Sequence, residues 1–311
     1  PGLDNFRHTY AGYHGYIAAV VCVWGIAANL ANIIVLTRKN MISSTNLILT
    51  WLAVADLLTM TSYFPVSIHF YIMKHPDLDF PTSESQHWIH FMLFHINFTV
   101  VAHTVAIWLT ITLAIWRYLY ICYPTRGQDL CSMKRAKIAI FVVYVLSAII
   151  CLPNYMVNAT KLNERVVNET TNSSFQYYEF CQSSISTAYP VVDNFNYWIQ
   201  AILIKLIPCA LLTILTILLV MAMHEANKRR MKLKSQGKRD ESARARENNR
   251  TTAMLLAIVG LFLLTELPQG ILTLCNSFIE NFHVDVYSPL GDVLDITALL
   301  NNSINFVLYC T

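Results

Sequence analysis

The chain has 311 residues, 55% of them hydrophobic and 13% charged, with a mean hydropathy of +0.44. A soluble fold would have to hide far more apolar surface than one core of this length provides, so that class is excluded. The formal charge of +3 is small and calls for no nucleic-acid partner.

A bilayer core takes about 20 apolar residues in helix to cross. Seven such stretches run over residues 14–36, 46–72, 91–120, 138–157, 194–223, 251–279 and 289–310. They predict an all-α membrane protein, a single seven-transmembrane helix bundle over residues 1–311. Lys and Arg resist translocation and so set its orientation. The first loop carries Arg38 and Lys39, the third Arg126, Lys134, Arg135 and Lys137, and the fifth a dense basic run over 228–250. The opposite loops carry only Lys74, Lys161 and Arg165, which places the N-terminus outside.

Two loops carry information. The fourth, 158–192, is too long for a tight turn and reads as an extracellular lid. Its sequons at Asn158, Asn168 and Asn172 fall on the side where glycosylation occurs. The fifth, 224–250, is a basic cytoplasmic loop rich in helix formers that extends the flanking segments. A solvated stretch that obeys the positive-inside rule and attracts anionic membrane lipid is enough to explain its charge, and a docking surface for a cytoplasmic partner is the functional reading. Of the cysteines only Cys181 is clearly extracellular, and Cys275 is its one candidate disulfide partner. With no initiator Met and no signal peptide, a trimmed chain is expected.

An ionisable group at membrane depth costs several kcal/mol unless it faces water, the bundle interior or a partner. The set comprises Asp56, His95, His103, Arg117, Lys205, Glu266, Asp292 and Asp295. Asp56 has Asn29, Asn301, Asn302 and Asn305 available, which fits either interhelical glue or a cation site. Glu266, just before Pro268, together with Asp292 and Asp295 in the outer half of segment seven, needs a cation. That cation is either Lys205, in an internal network, or an arriving basic ligand. His95 lies off the helix face shared by His87 and His90, and no Cys or carboxylate completes a tetrahedral set, so no metal is expected. No phosphate loop, nucleophile elbow or paired-His motif occurs, and neither enzymatic activity nor a cofactor is expected. A transporter of a small cationic substrate is the alternative; the absence of a repeat and just 9 Gly argue against it.

Several positions resemble the rhodopsin-like G-protein-coupled receptors, across the whole chain. They are Asn29 in segment one, Leu52-Ala53-Val54-Ala55-Asp56 in segment two, Trp116-Arg117-Tyr118 ending segment three, Pro208 and Pro268, and Asn305-Phe306-Val307-Leu308-Tyr309 ending segment seven. Departures narrow the likeness: Trp116 replaces the acid beside Arg117, Glu266 replaces the toggle Trp, and Phe306 replaces the last proline. With Ile204 to Cys209 and Leu264 to Gly270, these resemble the invertebrate myosuppressin and FMRFamide-like neuropeptide receptors. The usual disulfide from segment three to the fourth loop has no cysteine at His90, Phe91 or Met92 to form it.

The resemblance implies a plasma-membrane receptor for an amidated peptide ending in Arg-Phe-amide, acting through a heterotrimeric G protein, often of the inhibitory class. Asp295 is then the first choice to receive the peptide Arg, with Asp292 and Glu266 as candidates beside it and Lys205 pairing with Glu266. His103, Phe98, Phe195, Trp198, Phe262 and Leu267 complete the expected ligand site. Arg117, Tyr118, Trp116, Tyr309, Asn305 and Asp56 are the expected coupling residues, with Glu247 as a substitute partner for Arg117.

Overall fold

In lipid no water is at hand for backbone N–H and C=O groups, so long apolar stretches close their hydrogen bonds internally as helices. The computed structural model describes residues 2–73, 85–168, 173–234 and 241–310 and bears this out. The first span is α1 (Gly2–Leu36). The second, α2 (Ser44–Val66), starts where the Ser43 hydroxyl accepts the Asn46 N–H at 3.1 Å. Just past Pro65 it widens into a π-helical turn, Ser67–Ile72. The third is α3 (Gln86–Cys122), followed by the short α4 (Pro124–Leu130). The fourth breaks at Cys151 into α5 (Met133–Ile150) and α6 (Leu152–Val157), because Pro153 has no N–H to continue the ladder and restarts the helix instead.

After the short α7 (Ser184–Ala188), the fifth span joins α8 (Pro190–Trp198), a π-helical stretch Ile199–Leu206 and α9 (Ile207–Lys234). The sixth is α10 (Glu241–Cys275) and the seventh α11 (Ser288–Cys310). The helix-forming composition of the fifth loop accords with α9 and α10 reaching Lys234 and Glu241. Among the described residues five helices are long and apolar enough to cross a membrane, and the apolar part of α10 is Val259–Cys275.

The bundle closes as a ring. α1 packs between α2 and α11, α2 packs on α3, α3 on α9, α9 on α10, and α10 on α11. α5 packs outside α2 and α3, where the Tyr144 hydroxyl donates to the Trp51 carbonyl at 3.1 Å. The interior is filled by Leu52, Ile107, Leu109, Leu113 and Leu212.

One close approach depends on a glycine. A Cβ at Gly15 of α1 would fall 2.5 Å from the Tyr71 Cβ and 3.2 Å from the Ser67 carbonyl, so only Gly lets α1 lie against the π turn. Gly15→Ala is expected to cost about 1–3 kcal/mol through overpacking. A lower melting temperature of the detergent-solubilised protein checks this, and an unchanged one would mean that the two helices are not held so close.

The fourth loop is a hairpin, β1 (Asn158–Asn168) against β2 (Ser173–Gln182), antiparallel, with a bulge between Val166 and Asn168. The expected Cys181–Cys275 disulfide is not formed, since both thiols are free. Cys181 is committed to β2 opposite Ala159, whereas Cys275 ends α10. Noncovalent contacts tether the hairpin and its exit: the Tyr178 ring lies 5.7 Å from that of His90, the Gln182 amide donates to the Asp193 carboxylate, and the Ser183 hydroxyl donates to the Met156 carbonyl. Of the expected glycosylation positions, Asn158 donates its amide to the Asn154 carbonyl at 3.2 Å. Asn172 and the Asn168 side chain lie outside the described residues.

Candidate functional site

Two polar centres lie between the helices of the bundle, and they differ in whether a base answers the acid. The first lies between α3, the fifth span and α10. Glu266 is fully buried, and Lys205 Nζ sits 3.1 Å from its Oε2 while donating to Gln269 Oε1 at 2.6 Å. His103 Nε2 lies 3.1 Å from Glu266 Oε1 but is not aligned as a hydrogen bond. The local backbone makes this possible. In the π stretch before Pro208, the Ile207 N–H reaches back to the Ile202 carbonyl, and the widened turn includes Lys205. Gly270 leaves room for α10 to approach, since a Cβ there would stand 3.0 Å from the Lys205 Cβ. The Glu266–Lys205 pair expected from the sequence is thus present, and it neutralises that acid.

The second centre lies between α1, α2 and α11. Tyr63 donates its hydroxyl to Asp295 Oδ2 at 3.1 Å, and Tyr71 donates to Asp292 Oδ1 at 2.9 Å. His14, with no exposed surface, is 2.9 Å from the Tyr63 hydroxyl through Nε2, and its ring is 4.4 Å from that of Tyr71. Tyr10 stands 5.8 Å above His14, and His95, hydrogen-bonded to Ser62 at 2.8 Å, lies 5.3 Å from Tyr63. Both aspartates stay partly exposed, and among the described residues no base is within ion-pair distance of either. The chemistry on offer is that of a carboxylate pair held by neutral donors, which favours a positive guest.

The π turn builds this corner. In a continuous α-helix Tyr71 would lie about 80° around the axis from Tyr63. The wider turn over Ser67–Ile72 rotates each residue less and returns Tyr71 toward the same face. Tyr63, Tyr71 and His14 were not among the residues expected from the sequence. The one available signal was a pair of tyrosines, eight positions apart, whose hydroxyls need partners in an apolar segment.

The other expected site residues are dispersed. Phe262 is a core residue walling a cavity of about 10 Å³, room for one water-sized group, beside Asp56, His103 and Asn302. Leu267 shares an exposed face with Leu264 and Ile271. Phe195 is exposed, Trp198 packs edge-on against Phe278 at 5.5 Å, and Phe98 stacks on the exposed Phe94 at 5.0 Å. Near the cavity Asn29 donates to the Gly25 and Asn302 carbonyls at 2.9 and 3.2 Å, tying α1 to α11. At the inner end of α3, Arg117 and Tyr118 follow Trp116, which packs on the buried core and accepts the Cys131 thiol at its carbonyl, 3.6 Å away. The side chains of Asn305, Tyr309 and Glu247 lie outside the described residues.

A family model of serpentine-type seven-transmembrane G-protein-coupled chemoreceptors, Srw, matches residues 16–311. Among curated proteins the chain is similar to the G-protein coupled receptor dmsr-1 of Caenorhabditis elegans, 30% identical over 99% of this chain and 66% of that protein. It is 27% identical to the sex peptide receptor of Drosophila melanogaster, over 96% of this chain and 69% of that protein. It is 26% identical to the FMRFamide receptor of the same species, over 99% of this chain and 53% of that protein. The chain therefore spans from about half to about two thirds of the length of these relatives.

Proposed function

Because the chain belongs to the serpentine seven-transmembrane G-protein-coupled receptors of the Srw type, multi-pass plasma-membrane signalling proteins and not enzymes, we propose that it is a cell-surface receptor for an amidated neuropeptide. The ligand class is the Arg-Phe-amide type, myosuppressin-like or FMRFamide-like, and the partner is a heterotrimeric G protein of the inhibitory class. The observation that carries this reading is the α11 pair, Asp292 and Asp295, held by two tyrosine hydroxyls rather than by a base. Among the described residues Glu266 has an ion pair with a base and the two aspartates have none, so the corner between α1, α2 and α11 keeps the charge that attracts a peptide Arg. The likeness to an FMRFamide receptor and to a sex peptide receptor lends support. Challenging cells that express the full-length receptor with a panel of amidated neuropeptides, read out for each G-protein class, tests it. Inhibitory-class activation by an Arg-Phe-amide peptide is expected; silence across that peptide class overturns the reading.

Ligand binding would favour one of two packings of the bundle. In that shift the inner end of α10 moves outward and Arg117 and Tyr309 rearrange to admit the G protein. Trp116 offers Arg117 no carboxylate, and Glu247 near the inner end of α10 takes that role. Glu247→Gln is expected to raise ligand-free signalling severalfold, and an unaltered basal level in a cell assay counts against it.

A further inference from the structure

The corner between α1, α2 and α11 is one-sided in its hydrogen bonding. Tyr63 has a single hydroxyl hydrogen, and it goes to Asp295 Oδ2. His14 Nε2 must therefore be the donor in its 2.9 Å contact with that hydroxyl, which leaves Nδ1 as an acceptor, buried and without a hydrogen-bond partner. Each aspartate likewise has one oxygen occupied by a tyrosine, and among the described residues no hydrogen bond occupies Asp295 Oδ1 or Asp292 Oδ2. The cage thus presents three unmet acceptors on α1 and α11, among the aromatic faces of Tyr10, His14 and Tyr71.

A guanidinium has five donors in a rigid plane and stacks on aromatic faces. An ammonium has three donors, is compact, and holds its water more strongly. We infer that Tyr63 and Tyr71 are specificity-determining residues, which hold the two aspartates so that the cage takes a guanidinium in preference to an ammonium. This rests on the reading of Asp292 and Asp295 as the seat of the ligand's cation. The tyrosines act through the carboxylates: without a hydroxyl the carboxylate turns freely, which harms a planar, directional guest and leaves a point charge largely indifferent.

The test uses two synthetic tetrapeptide amides, Phe-Met-Arg-Phe-amide and Phe-Met-Lys-Phe-amide, on the full-length receptor in cells, with surface expression measured for every variant. On the unaltered receptor the Arg peptide is expected to be more potent by roughly tenfold or more. Tyr63→Phe and Tyr71→Phe should each narrow that ratio severalfold, mostly by weakening the Arg peptide. The ratio is read within one variant, so a loss of receptor at the surface does not move it. If Tyr63→Phe fails to reach the surface, Tyr71→Phe at the less buried position carries the test. Equal potency of the two peptides on the unaltered receptor, or a ratio unmoved by the available Tyr→Phe variants, overturns the inference. Asp292→Asn and Asp295→Asn separate the two levels. If they leave both peptides at full potency, the underlying reading fails; if they weaken the Arg peptide while the Tyr→Phe variants hold the ratio, only the tyrosine assignment fails.

Discussion

Lys205→Ala is expected to remove most of the receptor from the cell surface and to lower its stability in detergent by about 3–5 kcal/mol. Glu266 has no exposed surface, and Lys205 is the base hydrogen-bonded to it. Deleting that base leaves a buried carboxylate facing the misaligned His103 and an apolar surround, while Gln269 Oε1 loses its 2.6 Å donor. An unpaired buried charge is far more costly than an absent pair. The double variant Lys205→Met with Glu266→Leu should therefore recover most of the loss. Melting temperatures and surface labelling of the two receptors check this. A single variant as stable as the original, or a double variant no better than the single, would show that the pair does not hold the fifth span to α10.

Asp295→Asn is expected to lower the potency of an Arg-Phe-amide peptide by about 100-fold with surface expression held. Removing one member of a desolvated, hydrogen-bonded charge pair costs about 2–5 kcal/mol in binding, and each 1.4 kcal/mol is tenfold. Asn is close to isosteric and keeps an oxygen for the Tyr63 hydroxyl, so the local structure survives the change. Concentration–response curves for receptors matched in surface level provide the measurement. An undiminished potency would move the cation site elsewhere in the bundle.

Where the sequence was legible, lipid is the reason. A bilayer penalises charge and unsatisfied backbone so heavily that apolar length alone marks the spans, and each ionisable group within them stands out. Lys205 could be matched to Glu266 because it is the one lysine in the membrane-depth set. Direction was not legible. Leu267 and Phe262 sit five residues apart on one apolar helix, yet the first is exposed and the second buried, because a helix hydrophobic all round does not announce its inner face. Tyr63, Tyr71 and His14 escape notice because tyrosine is ordinary in an apolar segment and the apolar stretch starts only at residue 14, whereas α1 begins at Gly2. The π turn that brings Tyr71 round, and the glycine that admits it, are consequences of packing that periodicity alone does not encode. The proposed cysteine pair failed for a related reason: a disulfide demands a Cα separation of about 4.4–6.8 Å, and loop position alone does not supply it.

A double-mutant cycle between receptor and peptide tests the central claim most directly. Potency is measured for an Arg-Phe-amide peptide and for its citrulline analogue, which keeps the shape and loses the charge, on the original receptor and on Asp295→Asn. If the carboxylate receives the cation, the substitution costs about 100-fold with the Arg peptide and little with citrulline, a coupling of about 2–3 kcal/mol. Equal losses for both peptides would contradict the account, because the aspartate would then support the receptor without touching the charge of its guest.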